Sequence, residues 1–251
     1  MSLAVAYPQD DDANQARAAA LSAELEGAAP HAILRVAIER EFGDRIAVVS
    51  SFGAESAALL HIAAQIDRAT PVIFIDTDKH FAQTLQYRDE LVDFLKLANV
   101  RVIAPDPEEV AAVDPKGDLW RSDPDACCTL RKVEPNERAL EGFEAWVTGR
   151  KRHHGGVRAR LPVVEHDGRH FKFNPLVSWT PREINAYAKA HALPPHPLVA
   201  QGFPSIGCWP CTSPSEGTDA RAGRWAGSGK TECGIHRPAP ALIPGGRRMA
   251  F

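Results

Sequence analysis

Three short apolar runs set the strongest limit on the fold: residues 46–50 (IAVVS), residues 72–75 (VIFI) and VRVIAP from Val100. They alternate with stretches of helical periodicity at residues 55–66 and 81–97. Runs this short, bounded by polar loops, suit buried strands better than helices. Strand, helix and strand repeated in that order close by right-handed crossovers into a parallel sheet with helices on its faces. AWVTG at 145–149 fits a further strand, and 181–191 fits a helix with Thr180 as its cap and Pro181 at its first position. Upstream, residues 14–42 are rich in Ala and Leu at helical spacing, broken by Gly27 and Pro30, which predicts two helices with Asn14 capping the first. The fold class is therefore α/β, a parallel twisted sheet flanked by helices. Its ligands belong beyond the carboxyl ends of the strands, where residues 50–56 and 76–79 fall.

The chain of 251 residues is 44% hydrophobic and 24% charged, enough for a packed core without disulfides. Its formal charge of -3 argues against a broad basic field for nucleic acid, so any anion site must be local. No apolar run approaches the roughly 18 residues of a membrane span. The first residues carry Asp10, Asp11 and Asp12 where a secretory leader would be basic and then apolar, so the expected location is the cytoplasm. From Leu193 onward Pro, Gly, Ser and basic residues dominate, and little there could build a core by itself. The expected organisation is a disordered stretch at 1–13, one domain over 14–236 whose irregular, Cys-rich end (about 212–236) is mobile, and a flexible tail at 237–251.

The five cysteines are Cys127, Cys128, Cys208, Cys211 and Cys233. In a reducing compartment such clustering points to metal or redox chemistry more than to staples. Cys208 and Cys211 form CWPC, a spacing shared by zinc knuckles, redox dithiols and iron–sulfur half-sites. Cys127 and Cys128 are adjacent, and neighbours on a helix project roughly 100° apart, which is awkward for one small ion and better suited to a polynuclear centre. Two buried thiols with no ligand are the bland alternative. The four sulfurs most simply bind one [4Fe–4S] cluster, with a four-thiolate zinc site as the competing account. Cys233, in GSGKTECGIH, is left over. It is either a nucleophile, with Lys230 and His236 lowering its pKa and Glu232 opposing them, or an inconsequential cysteine.

Basic residues gather at Arg131 and Lys132, at 150–152, at Arg158 and Arg160, and at Arg221 and Arg224. Most surface cations only solvate a fold, but these sit at loop ends beside the cysteines, where a compact polyanion could be clamped. Ser50, Ser51, Gly53 and Ser56 offer backbone N–H groups to the same ligand.

Taken together, DACCTLRK, GCWPCT and KTECGIH make the sequence similar to the assimilatory sulfonucleotide reductases, specifically the iron–sulfur adenylyl-sulfate (APS) reductases. The similarity extends from about residue 45 to His236. It implies a PP-loop, adenine nucleotide alpha hydrolase-like fold, with Cys127, Cys128, Cys208 and Cys211 as ligands of a [4Fe–4S] cluster and Cys233 as the catalytic thiol. Lys132, Arg221, Arg224 and His236 match positions that hold phosphate and sulfate, and Ser51, Phe52 and Gly53 match a pocket-lining loop. Arg152 and Arg158 are carried over as further anion ligands. Asp78 stands in IDTDKHF where the resembling family writes Gly, which brings a negative charge near an anion site.

The implied reaction reduces APS to sulfite and AMP through a Cys233 S-sulfocysteine, with thioredoxin as donor, in sulfate assimilation and cysteine biosynthesis. The expected partners are thus APS and thioredoxin, without nucleic acid or membrane, and self-association is left open. The rivals are a reductase of the 3′-phosphorylated nucleotide (PAPS) or one of dual specificity, an ATP pyrophosphatase, and a zinc-stabilised nucleotide- or nucleic-acid-binding module. SFGAES lacks the paired glycines and Asp of a pyrophosphatase loop, and the net charge speaks against a nucleic-acid module.

Overall fold

The computed structural model describes residues 9–217 and 219–236; the expected flexible tail at 237–251 lies outside the described residues. Helices α1 (Gln9–Leu25) and α2 (Pro30–Arg35) open the chain, the second continuing through a π-wound stretch, Val36–Phe42. The alternating core follows: β1 (Ile46–Val49), α3 (Ser56–Ile66), β2 (Val72–Ile75), α4 (Ala82–Leu95) and β3 (Val100–Ile103). Four short helices, α5 (Pro107–Val113), α6 (Leu119–Ser122), α7 (Pro124–Cys128) and α8 (Glu134–Ala139), lead to β4 (Ala145–Val147). A hairpin of β5 (Val164–His166) and β6 (Phe171–Phe173) precedes α9 (Pro181–Ala190).

The six strands lie in the order β3-β2-β1-β4-β6-β5, parallel except for β5 at the edge. Val48 of β1 pairs with Val72 on one side and Val147 on the other. Beyond β1 the chain moves outward first in one direction, to β2 and β3, and later in the other, to β4. That reversal leaves a crevice past the carboxyl ends of β1 and β4, the usual ligand position on an open sheet.

The predicted βαβ units and the Thr180 cap are present, and the cap is completed as a capping box, with Thr180 Oγ1 accepting from Glu183 N and the Glu183 carboxylate accepting from the Thr180 backbone N–H. Helix α1 begins at Gln9, ahead of the expected cap at Asn14, so part of the stretch expected to be disordered is helical. Its start is tied to the sheet edge: Asp11 Oδ1 lies 3.1 Å from His166 Nδ1, and Gln15 donates to the His166 carbonyl at 3.0 Å. Sequence reasoning missed the β5–β6 hairpin. Its turn is DGRH at 167–170, in which Asp167 accepts from the N–H groups of Arg169 and His170 and Gly168 adopts φ +90. Lys172 disguises β6 as polar, yet its side chain is 1% exposed, with its ammonium 2.8 Å from Asp167 and over the Trp146 ring.

The main core lies between the sheet and the α1–α2–α3 face, where Phe42 meets Phe171 and Phe173 at ring distances of 5.3 and 5.8 Å. Each such fully buried side chain contributes about 1.5–3 kcal/mol. The segment after Leu193 is ordered chiefly by hydrogen bonds. Buried His196 is one anchor, its Nδ1 accepting from Leu198 N (3.2 Å) and its Nε2 therefore donating to Thr84 Oγ1 (3.1 Å).

Burial holds the His196 imidazole down at about 4 from an ordinary 6.5. Between these values the unfolded chain takes a proton that the folded chain refuses, so His196 withdraws stability as pH falls from about 6.5 to about 4. Urea midpoints measured at pH 7.5 and pH 5 are expected to be lower at pH 5, with a smaller drop in His196→Asn.

Candidate active site

A cavity of about 210 Å³ occupies the crevice beyond β1 and β4. The loop after β1 supplies Ser51 and Gly53, and α3 begins beside the same space, with Ser56 lining it and its N–H donating to the Gly53 carbonyl at 3.1 Å. The loop after β4 supplies Arg150, Lys151, His154 and Arg158. The irregular carboxyl segment closes it with Arg221, Arg224, Cys233 and His236.

That segment folds back by a defined set of bonds. Trp209 N–H donates to the Lys79 carbonyl (2.8 Å), bringing CWPC beside the loop after β2, where Thr77 Oγ1 lies 3.3 Å from Cys208 Sγ. Thr212 bridges to Arg224, and Trp225 N–H reaches the Cys211 carbonyl at 3.0 Å. Further along, Lys230 pairs with Asp125 and Arg158 with Glu232. His236 then stacks on Trp146 with ring centroids 5.2 Å apart and planes 2° apart. Cys127 and Cys128, at the end of α7, are buried and face this segment, since Cys127 senses the charges of Cys208 and Cys211, and Cys128 those of Cys233 and Cys208. Burial pushes the Cys127 thiol up to about 11 and Cys128 up to about 12. Among the described residues, no three cysteine sulfurs all lie within 4.8 Å of one another.

Lys132 sits between the sulfur quartet and Cys233. Burial opposes its charge, but the sulfurs of Cys208, Cys233 and Cys128 outweigh that and keep the ammonium protonated. Arg224 lies flat against Gly207, where any Cβ would collide with its guanidinium, and over the Trp225 ring at 4.5 Å; its buried Nε has no partner. Burial and the Arg158 charge depress the Arg221 guanidinium to about 10, the mark of positive charge short of compensation. Glu55 meets burial that would raise it, but His154 and Lys151 overcome this and hold its carboxyl at about 2; Lys151 Nζ is 2.5 Å away. His236 is pushed well below its ordinary value by burial and by Arg150 and Lys172, so it is neutral. Three of the non-glycine residues with positive φ stand here, Phe52 (47), Asp78 (55) and Trp225 (51), the kind of backbone strain that surrounding structure must hold in place.

The cavity thus gathers Cys233, Lys132, Arg221, Arg224, His236, Ser51, Gly53 and Arg158 of the residues singled out in the sequence. Two others lie elsewhere. Arg152 donates to both Glu26 oxygens (2.8 and 3.0 Å) and to the Leu161 carbonyl, and it does not line the cavity. Phe52 is fully buried behind the loop against Phe74, so it shapes the backbone from below. Asp78 accepts from Arg131 NH1 at 3.1 Å, and Arg131 is also held by buried Asp114. Sequence reasoning did not single out His80, Glu55, Lys151 or Trp146, all of which line the cavity. Glu55 lies in the same SSFGAES loop and Lys151 in the run 150–152, so those two had a local signal; Trp146 and His80 read as strand and loop residues.

The topology and the cavity define a nucleotide-binding type of α/β fold in which a thiol shares one cavity with a cluster of cations. Residues 45–214 match the model of the phosphoadenosine phosphosulfate reductase domain. A protein of Mesorhizobium japonicum called adenosine 5'-phosphosulfate reductase is 52% identical over 90% of this chain and 89% of its own length. One from Gloeobacter violaceus called phosphoadenosine 5'-phosphosulfate reductase is 40% identical over 86% and 92%. Among solved structures, the phosphoadenylyl-sulfate reductase of Candida auris superposes with TM-score 0.68 at 28% identity, covering 85% of this chain and all of that one. The FMN adenylyltransferase of Candida glabrata shares the fold alone, with TM-score 0.54 at 19% identity over 84% of this chain and 69% of that one. The chain belongs to the phosphoadenosine phosphosulfate reductase family, and it is an oxidoreductase acting on a sulfur group.

Because Gly207 makes room for Arg224, Gly207→Ala is expected to displace that guanidinium and raise KM for the anionic substrate about tenfold, the scale of one charge-assisted hydrogen bond. Steady-state kinetics of sulfite release checks this, and an unchanged KM would remove Arg224 from the anion seat.

Proposed function

We propose that the protein reduces adenylyl sulfate to sulfite and AMP through Cys233. The observation that carries this reading is that one cavity holds the Cys233 thiol together with the cations Lys132, Arg221 and Arg224, of which Arg221 is depressed by burial and neighbouring positive charge and Arg224 has a buried Nε without a partner. The thiolate attacks the sulfur of the bound phosphosulfate; an S–S bond forms, the sulfur–oxygen bond to the phosphate breaks, and AMP leaves. Approach of one anion to another is uphill, and Lys132, Arg221 and Arg224 offset it by holding the sulfate and the departing phosphate. Neutral His236 contributes as a hydrogen-bond donor. Ser51 and Gly53 present the loop backbone to the nucleotide.

The S-sulfocysteine on Cys233 is then reduced by a dithiol protein, thioredoxin. One thiolate attacks the Cys233 sulfur and sulfite leaves; the second resolves the mixed disulfide, so the donor supplies both electrons. With the carboxyl segment docked, about 210 Å³ is less than the roughly 300 Å³ of the smallest usual ligand pockets. The segment therefore swings out to admit nucleotide and later to meet its reductant, with Gly227 and Gly229 as hinges. Aqueous thiol chemistry of this kind belongs in the cytoplasm, and sulfate assimilation and cysteine biosynthesis would use its product.

The sulfur quartet suits a [4Fe–4S] cluster. A four-thiolate zinc site, with Zn–S bonds of about 2.3 Å, is the competing account, but the adjacent Cys127 and Cys128 are better suited to a polynuclear centre than to one small ion. Cys127, Cys128, Cys208 and Cys211 would hold the cluster, and its presence would order the Lys132 turn and add to the field at the sulfate. Reduction of the 3′-phosphorylated nucleotide is the second reading, favoured by the similarity to the Gloeobacter protein.

Incubating the protein with adenylyl sulfate is expected to add a sulfonate to Cys233, seen by mass spectrometry, and Cys233→Ser to lose the adduct and all sulfite release. No adduct in the wild-type protein would refute the reading. Parallel assays with the 3′-phosphorylated nucleotide decide between the two substrates. Cys128→Ser is expected to lose iron and inorganic sulfide together; retention of both would reject the proposed ligand set.

A further inference from the structure

The carboxyl segment is fastened to the cavity wall one residue before Cys233. Arg158 grips both oxygens of Glu232, Nε to Oε1 at 2.5 Å and NH2 to Oε2 at 2.6 Å, the parallel two-bond geometry that only a guanidinium offers a carboxylate. Arg221 strengthens the same point, its NH2 donating to the Thr231 carbonyl at 2.6 Å and standing 3.6 Å from Glu232 Oε2. Arg158 is itself held, with NH1 3.1 Å from His154 Nδ1, and His154 Nε2 lies 3.4 Å from Glu55. A chain of charges thus runs from the loop after β1, through the loop after β4, to the residue beside the thiol. Both side chains are largely buried, Arg158 at 11% exposed and Glu232 at 23%, so water screens the pair less than it would a surface contact.

We infer that Glu232 is a positioning residue for the reaction: its two-point contact with Arg158 seats the peptide so that Cys233 is held against the anion site. On this account the Arg158 charge is committed to the carboxyl segment and does not bind nucleotide. The cations left for the substrate are Lys132, Arg221 and Arg224. The inference rests on the reading of Cys233 as the nucleophile. It differs from a competing arrangement in which Glu232 merely stands in for substrate anion and is displaced on binding. A stand-in raises KM, so removing it would tighten substrate binding; a positioning contact acts on the step at sulfur, so removing it lowers kcat.

Glu232→Gln and Arg158→Lys each break the two-point contact while leaving a polar group in place, and neither touches the core. Two measurements are made on each variant, on the double variant and on wild type. The first is the rate at which iodoacetamide alkylates Cys233 in nucleotide-free protein, followed by peptide mapping. The second is kcat and KM for sulfite release from adenylyl sulfate. Expected are alkylation about tenfold faster and kcat about tenfold lower in each single variant, with KM little changed, and a double variant no worse than the weaker single one. Additive losses, an unchanged alkylation rate, or a lowered KM at constant kcat would each overturn the inference. The alkylation arm needs no turnover, so a wild-type protein that reduces neither nucleotide would count against the proposed function while this arm still decided the role of Glu232.

Discussion

Positive charge gathered at the carboxyl edge of the sheet governs the rest of the structure. Lys132, Arg150, Lys151, Arg158, Arg221 and Arg224 line one cavity in a chain whose net charge is -3. Two like charges 4 Å apart cost about 4 kcal/mol at an effective dielectric near 20, so such a group persists only if anions are threaded through it. Glu165 meets Arg150, Glu55 meets Lys151, and Glu232 meets Arg158. Burial and the Arg158 charge still depress the Arg221 guanidinium despite Glu232 nearby, and a buried Arg224 Nε goes unpaired. Under the proposed function, a dianionic phosphosulfate would complete that balance. The site is built around a charge deficit confined to one crevice, which the whole-chain charge conceals.

The scaffold follows from that requirement. Cations on separate loops must be presented rigidly, and each is backed by a specific contact: Gly207 and the Trp225 ring for Arg224, and the sulfur atoms for Lys132. The carboxyl segment is too poor in apolar residues to order itself, so it is pinned at intervals, by Lys230 on Asp125, by Glu232 on Arg158 and by His236 on Trp146. Pins made of ion pairs and one ring stack can be undone singly by a competing anion or partner, which a hydrophobic dock could not. That distinction permits the movement proposed for Cys233.

How much of this could be read from the sequence depended on the range of the interaction. The βαβ units were legible because apolar periodicity is local, and the cysteine pairs stood out as candidates because adjacency and the two-residue gap are visible in the sequence itself. The β5–β6 hairpin was not, because Lys172 breaks the apolar pattern and its burial is explained only by Asp167 and Trp146 in the fold. Arg152 and Arg158 look alike in sequence. They part company because Glu26, at the far end of α1, takes one and Glu232 takes the other. No local rule ranks two arginines by partners so distant in sequence.

Asp78 shows the same point in reverse. In the sequence it puts a carboxylate where the resembling family has Gly, beside an anion site, and so looks adverse. In the fold its backbone has φ 55, the left-handed region Gly would occupy freely and Asp tolerates better than most residues. Its carboxylate turns to Arg131, which is 4% exposed and already bound to Asp114. A buried guanidinium between two carboxylates carries its charge at less cost than one paired once, and removing a single partner from such a set leaves the other unmatched. Arg131 lies in the π-wound stretch Thr129–Val133 that follows the paired cysteines and carries Lys132, so the negative charge of Asp78 is consumed holding that stretch to the loop after β2. The departure from Gly therefore costs a strained backbone and strengthens the wall that carries both the paired cysteines and Lys132.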